Sequence, residues 1–301
     1  MVGEPLTQRS RSRALRRRDA VTGYALLAPS LFGVACFLVL PVLVVVWLGF
    51  QSWDLIHPLR FAGLANYASV LTDPVFGNAL LVTAVFVVIV IPVQTALGLF
   101  GASLLTRGLP GSAVLRTIYA LPWICAPLAL GVVWKWIFAP TGGALNALLG
   151  VRVEWLTDPV LALPAAAAVV IWTNVGYVTL FFLAGLVNIP NHIVEAARID
   201  GAGPVALFWR IKLPLLRPTM FFVLVTSVIA TFQLFDQIYA LTGGGPEHRT
   251  DVVANRIYTE AFQSFDLGRA SVMAVVLLVL LVAITVGQQL YFRRRTTYDL
   301  G

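Results

Sequence analysis

LFGVACFLVLPVLVVVWLGF, residues 31–50, carries no charged side chain. A helix rises ~1.5 Å per residue, so about 20 such residues cross the ~30 Å hydrocarbon core of a bilayer. With its flanks the run covers roughly 24–50. That is too long for the apolar part of a secretory signal, and no clear cleavage site follows it. It reads as a retained membrane span. Five further runs have the same character, at roughly 78–105, 113–138, 161–187, 219–241 and 270–292. Several exceed the minimum by a turn or more, which implies tilt or extension beyond the lipid. Pro41, Pro92, Pro122 and Pro127 fall inside these runs. Neighbouring helices can satisfy the carbonyls a proline frees, so these positions predict kinks, not ends.

Composition supports the same reading. Hydrophobic residues make up 59% of the 301 and charged residues 12%, against roughly 25% charged in soluble domains. Such a chain cannot cover itself with polar surface, and a bilayer removes the need. The net charge of +7 is not spread as a nucleic-acid footprint; it sits in short segments beside the apolar runs, where it orients a membrane chain. Cys36 and Cys125 lie inside apolar runs and make no disulfide framework. No repeat with a period of about 20–50 residues is present. The organisation expected is a basic tail at 1–20, serving as a topology anchor drawn to anionic lipid, followed by one transmembrane domain at 21–301.

Lys and Arg set the orientation. Fifteen of the 21 lie in the two tails, the second-to-third loop and the fourth-to-fifth loop. They include Arg9, Arg11, Arg13, Arg16, Arg17 and Arg18 at one end, Arg293, Arg294 and Arg295 at the other, and Arg107 between. Both tails are therefore expected on the cytoplasmic side. An even number of spans requires the tails to share a side, which agrees.

The longest loop on that side, 188–218, reads NIPNHIVEAARIDGAGPVALFWRIKLPLLRP. Asn191 follows Pro190 and can cap a short helix that runs to Asp200. Gly201 can take the left-handed conformation that ends it. Pro204 can open a second helix, on which Val205, Leu207, Phe208 and Ile211 form a mostly apolar stripe. Pro214 is expected to break that helix, and Pro218 to lead into the fifth span. An ordered apolar hairpin implies a cover, either the lipid surface or another protein.

Glu195-Ala196-Ala197, Asp200-Gly201-Ala202, Phe208, Ile211, Leu213-Pro214 and Pro218 resemble the EAA loop of ABC importer permeases. The resemblance continues through Phe61 to Tyr67, Asp73-Pro74, Trp155 to Pro159, Phe235 to Tyr239, Leu241 to Pro246 and Tyr258 to Ser271. Together these look like the first permease subunit of the carbohydrate-uptake branch, the maltose and glycerol-3-phosphate permease-like type. The resemblance implies an all-α type I importer fold with six spans and a cytoplasmic coupling helix at 188–218. It also implies a second homologous permease, two cytoplasmic ATPase subunits that use ATP and Mg, an extracytoplasmic binding protein, and a bacterial inner-membrane location. Glu195 would anchor the coupling helix, Gly201 would allow its turn, and Phe208 and Ile211 would pack in the hairpin or the ATPase cleft. The larger maltose permease subunit has two extra N-terminal spans and a large outside insertion. This chain has neither, so contacts made through them do not carry over.

The chain's own chemistry is sparse. Its two lysines, Lys135 and Lys212, are flanked by Trp134 and Trp136 and by Ile211 and Leu213, so no phosphate-binding P-loop is present. No cofactor is expected on this chain. His57, His192 and His248 are scattered without Cys or acidic ligand spacing, and no metal site is expected. Polar groups do occur in the spans. Gln233 and Gln237 are four residues apart, which places them on one helix face with Asp236 beside it, Asn174 stands with Trp172 and Tyr177 in the fourth span, and Gln94 lies in the second. A solute pathway would use such amides, acid and rings. Interhelical hydrogen bonding, or an Asp236 that snorkels to the interface, would use them equally well. The function expected is solute import driven by separate ATPase subunits, the solute being a sugar, polyol or sugar phosphate. The alternative is an ion-driven secondary transporter of a small polar solute.

Overall fold

The computed structural model describes residues 22–106 and 111–293. The basic tail, Arg107, Arg294 and Arg295 lie outside them. Four helices are long and apolar enough to cross a membrane: α1 (Thr22–Leu48), the long helix Pro74–Leu105, Ala162–Val187 and Leu267–Arg293. Two bent pairs bring the number to six when each is taken as one span. Among the described residues the strands are a two-residue antiparallel pair, β1 (Gln51–Ser52) and β2 (Arg60–Phe61).

After β2 come α2 (Ala65–Leu71) and α3 (Pro74–Leu105). Asp73 caps α3, accepting the Val75 amide at 2.8 Å, and Pro74 occupies the first turn, where its missing N–H costs nothing. Asn66 Nδ2 donates to the carbonyls of Gly49 and Gln51, fastening α2 to the end of α1.

The third span departs from the single kinked helix expected over 113–138. It is two helices, α4 (Ser112–Ile124) and α5 (Pro127–Ile137), bent by 95°. The cause is local. A residue before proline is pushed out of the helical region, and Ala126 accordingly has ψ 122°, with Cys125 extended at ψ 149°. Pro127 then opens α5. Pro92 and Pro122 remain within helices.

After α6 (Ala144–Leu149), α7 (Ala162–Val187) packs along α3. Next come α8 (Asn191–Ile199), α9 (Pro204–Leu215), α10 (Arg217–Phe232), α11 (Asp236–Leu241), α12 (Val253–Phe262) and α13 (Leu267–Arg293). The fifth span was expected to run unbroken over 219–241. It stops at Phe232 and restarts at Asp236. Neither glycine nor proline marks this break. Tertiary packing makes it: Ile238 and Leu241 are fully buried beside Phe86 and Val170 of the core, which requires the chain to turn inward.

Two segments widen to a π-turn, Ala35–Val39 and Leu207–Lys212. Each lies one turn before a proline, Pro41 and Pro214. The wider turn relieves the clash between the proline ring and the carbonyl four residues back. Pro214 therefore does not break α9 as expected; the bend of 67° falls at Leu216.

Candidate functional site

The coupling hairpin is built by an interlocked cap. Gly201 has φ +83°, a region that a side chain disfavours. Its amide donates to the Arg198 carbonyl at 3.0 Å, and the Ala202 amide donates to the Ala197 carbonyl at 2.9 Å. This double bond pattern is the Schellman motif, and it gives Asp200-Gly201-Ala202 a structural reason. Asn191 is the first helical residue, not the cap; Pro190 precedes the helix and no side chain caps it.

Val194 packs against a core of Phe182, Leu186, Ile189 and Leu216, and Ala197 and Leu207 are buried. Glu195, Ala196 and Asp200 are exposed, and Ala202, Phe208, Ile211, Leu213 and Pro214 are half-buried. The stripe expected on α9 divides: Leu207 is buried while Val205 is 72% exposed. Residues two apart fall on opposite sides of a helix, so these two cannot share one face. Ile199, Val205 and Trp209 stand exposed on the outer side. Trp209, edge-on to Phe208 at 5.5 Å, was not among the expected residues, though its place between two of them is legible.

Deeper in the bundle lies a cavity of about 330 Å³. Six of the seven expected pathway residues line it: Gln94, Asn174, Tyr177, Gln233, Asp236 and Gln237. Trp172 does not; it is turned edge-on to Trp134 at 5.3 Å. Gln233 and Gln237 do not share a helix face, because the break puts Gln233 at the end of α10 and Gln237 in α11. They meet at the cavity all the same. Both broken spans open onto it, the third through Trp123 and Pro127 and the fifth through Gln233 to Asp236. Thr173, Thr226, Ser227 and Thr231 complete the polar lining and were missed, since hydroxyls in apolar runs usually bond their own helix.

Gln237 Nε2 donates to Thr173 Oγ1 at 3.2 Å, joining α11 to α7. Trp123 stacks on Tyr177 at 5.0 Å. Discontinuous helices around a polar cavity are a recurrent way to present polar groups to a solute within a bilayer.

At the end away from the hairpin, polar side chains tie several elements together. Arg269 donates to Asp73 Oδ2 at 2.6 Å, Glu260 Oε1 at 2.7 Å and Ser69 Oγ at 3.1 Å. Trp155 donates to Asn146 at 2.8 Å. Asp158 accepts the Val160 and Leu161 amides at 2.7 and 3.0 Å, capping the approach to α7. Lys135 lines a second cavity of about 380 Å³ with Thr157, Thr242 and Pro246.

A polytopic helical protein with a polar cavity between broken spans and an ordered hairpin at one end belongs to the class that moves polar solutes across bilayers. Residues 94–298 match the family described as binding-protein-dependent transport system inner membrane component, and the chain belongs to that family. It is 37% identical over 243 residues, 79% of this chain and 83% of the relative, to the sn-glycerol-3-phosphate transport system permease protein UgpA of Agrobacterium fabrum. It is 35% identical over 95% of its length, and 94% of the relative, to the probable ABC transporter permease protein YesP of Bacillus subtilis. A chain of a bacterial ABC transporter involved in import of the acidic polysaccharide alginate matches with a TM-score of 0.81 at 22% identity, covering 95% of this chain and 100% of that one. The fold is the all-α fold of ABC importer permeases. The protein is a multi-pass inner-membrane transport component that works with a binding protein.

Proposed function

We propose that this chain is the permease subunit through which an ATP-driven importer moves a sugar, polyol or sugar phosphate, paired with a second homologous permease and two cytoplasmic ATPase subunits. The distribution of Lys and Arg supports a cytoplasmic position for both tails. One observation carries the reading: the hairpin and the cavity lie on one connected length of chain. From α8 the Schellman turn leads into α9, the bend at Leu216 into α10, and the break at 233–235 into the cavity wall. A force applied at Glu195 and the outward side chains of the hairpin is transmitted along helices to residues that line the solute space. Such a linkage is what alternating access needs. ATP and Mg act on the partner subunits. An ion-driven transporter would have no use for the exposed, capped hairpin.

The test is Gly201→Pro. Proline fixes φ near −65°, opposite in sign to the +83° found. The variant is expected to insert and assemble with its partners. In proteoliposomes it should lose the stimulation of ATP hydrolysis by loaded binding protein. Stimulation equal to wild type would refute the coupling role.

A further inference from the structure

Two chains of aromatic rings leave the 330 Å³ cavity, one toward each end of the molecule. The first starts at Phe235 on the cavity wall. Its ring lies 4.9 Å from Tyr258 of α12, and Tyr258 lies 5.3 Å from Phe262. Tyr239 stands 5.2 Å from both Phe235 and Tyr258. Phe262 is 64% exposed and ends α12, just before α13 begins at the end away from the hairpin. The second chain starts at Tyr177 on the same cavity wall. Phe181 is 4.6 Å from Tyr177, and Phe222 is 4.9 Å from Phe181. Phe222 is 45% exposed and stands in the second turn of α10, whose start joins the hairpin.

Some of these contacts follow from spacing alone, since Phe235 and Tyr239, Tyr258 and Phe262, and Tyr177 and Phe181 are each four residues apart. The joins between elements do not. Phe235 to Tyr258 links the break in the fifth span to α12, and Phe181 to Phe222 links α7 to α10.

We propose that the rings are a track along which the solute enters and leaves the cavity, with Tyr258 and Phe262 on the entry side and Phe181 and Phe222 on the exit side. The inference rests on the transport reading above. The C–H face of a sugar ring packs against an aromatic face, while its hydroxyls stay at the rim. Such contacts are weak singly. A permeating solute must bind well enough to enter and loosely enough to leave, which weak sites in series provide. Ring spacings between 4.6 and 5.3 Å let the solute meet the next ring before it leaves the last.

The test places a cysteine at the cavity, Gln233→Cys, in the complete transporter with Cys36→Ser and Cys125→Ser. Two neutral thiol reagents are compared: a glucosyl methanethiosulfonate and hydroxyethyl methanethiosulfonate, which has no sugar ring. Right-side-out membrane vesicles with a non-hydrolysable ATP analogue inside present the outward-open state; nucleotide-free inside-out vesicles present the inward-open one. The ratio of glucosyl to hydroxyethyl labelling rates cancels differences in thiol reactivity. Tyr258→Leu and Phe262→Leu should lower that ratio at least about threefold from outside and leave it unchanged from inside. Phe181→Leu and Phe222→Leu should do the reverse, and Tyr258→Phe should keep the original ratio from both faces. A ratio that no leucine variant changes overturns the track and leaves the transport reading standing. A fall of equal size from both faces is what loosened packing gives, and it overturns the track as well. A cysteine that neither reagent reaches from the open face refutes the transport reading together with the track.

Discussion

Gln94 shows most directly how a residue that weakens a fold can serve it. Gln94 is buried and its Oε1 has no hydrogen-bond partner, which costs on the order of 1–3 kcal/mol. An apolar side chain of similar shape removes that cost. Gln94→Leu is therefore expected to leave the thermal unfolding temperature of the complex unchanged or raised. The same variant removes a polar residue from the cavity lining, so the KM for uptake should rise several-fold with little change in the maximal rate. A destabilised complex with normal uptake would mean that Gln94 is a packing residue only. At this scale the sequence was informative about chemistry and poor on partners. An amide in an apolar run marks a group that needs a partner, which made Gln94, Asn174 and Gln237 visible. Gly201 was legible for a different reason: a left-handed turn after a helix leaves few residue choices. Trp172 was misplaced because an aromatic ring fits lipid, core or cavity equally well.

At the scale of elements, prolines were legible as positions but not as outcomes. Pro127 breaks the third span, Pro92 stays within a helix, and Pro41 and Pro214 sit behind π-turns. Whether a proline kinks, splits or widens a helix depends on which neighbours meet the freed carbonyl, and one chain's sequence does not show them. The break at 233–235 carries no local signal, because burial of Ile238 and Leu241 dictates it. The elements around Arg269 depend on a charge cluster instead. Arg269, 23% exposed, bridges Asp73, 13% exposed, and Glu260, 7% exposed, so α2, the cap of α3, α12 and α13 meet at one guanidinium. Arg269→Met leaves two largely buried carboxylates without that partner and should cost about 3 kcal/mol. Burial raises the Asp73 carboxyl, but the Val75 amide and Arg269 outweigh it and hold the group below its ordinary 3.8. With a depressed folded-state value, its contribution is complete above pH 3.8 and is lost as pH falls below that. Thermal unfolding of the wild-type complex, followed from neutral pH to about pH 3, should show this loss. Arg269→Met should start less stable and lose less through the same window. Parallel curves would show that the bridge is not the source.

Over the whole molecule, the architecture divides into a closely packed pair and a jointed line. The six apolar runs and the hairpin were readable from the sequence because a bilayer imposes length and polarity on each span separately. Which spans pack most closely was not readable, since helices in lipid associate through small residues and shape. The structure answers through Gly98: a Cβ placed there would lie 2.5 Å from Val178 Cγ1, so α3 and α7 approach through an absent side chain. The joints all lie elsewhere, at 125–126, at Leu216 and at 233–235. Stability and coupling should therefore separate. Gly98→Ala overpacks the fixed pair and should destabilise the complex by about 2 kcal/mol. Val178→Ala removes the clashing methyls, so in the double variant part of the loss returns. A double-mutant cycle on thermal unfolding should give an interaction of about 1 kcal/mol in the favourable direction. Surviving Gly98→Ala complexes should still show ATP hydrolysis stimulated by loaded binding protein, which Gly201→Pro abolishes without a comparable loss of stability. Additive effects in the cycle would show that Gly98 and Val178 do not meet. Loss of stimulation in Gly98→Ala at full stability would show that α3 and α7 move against each other during transport.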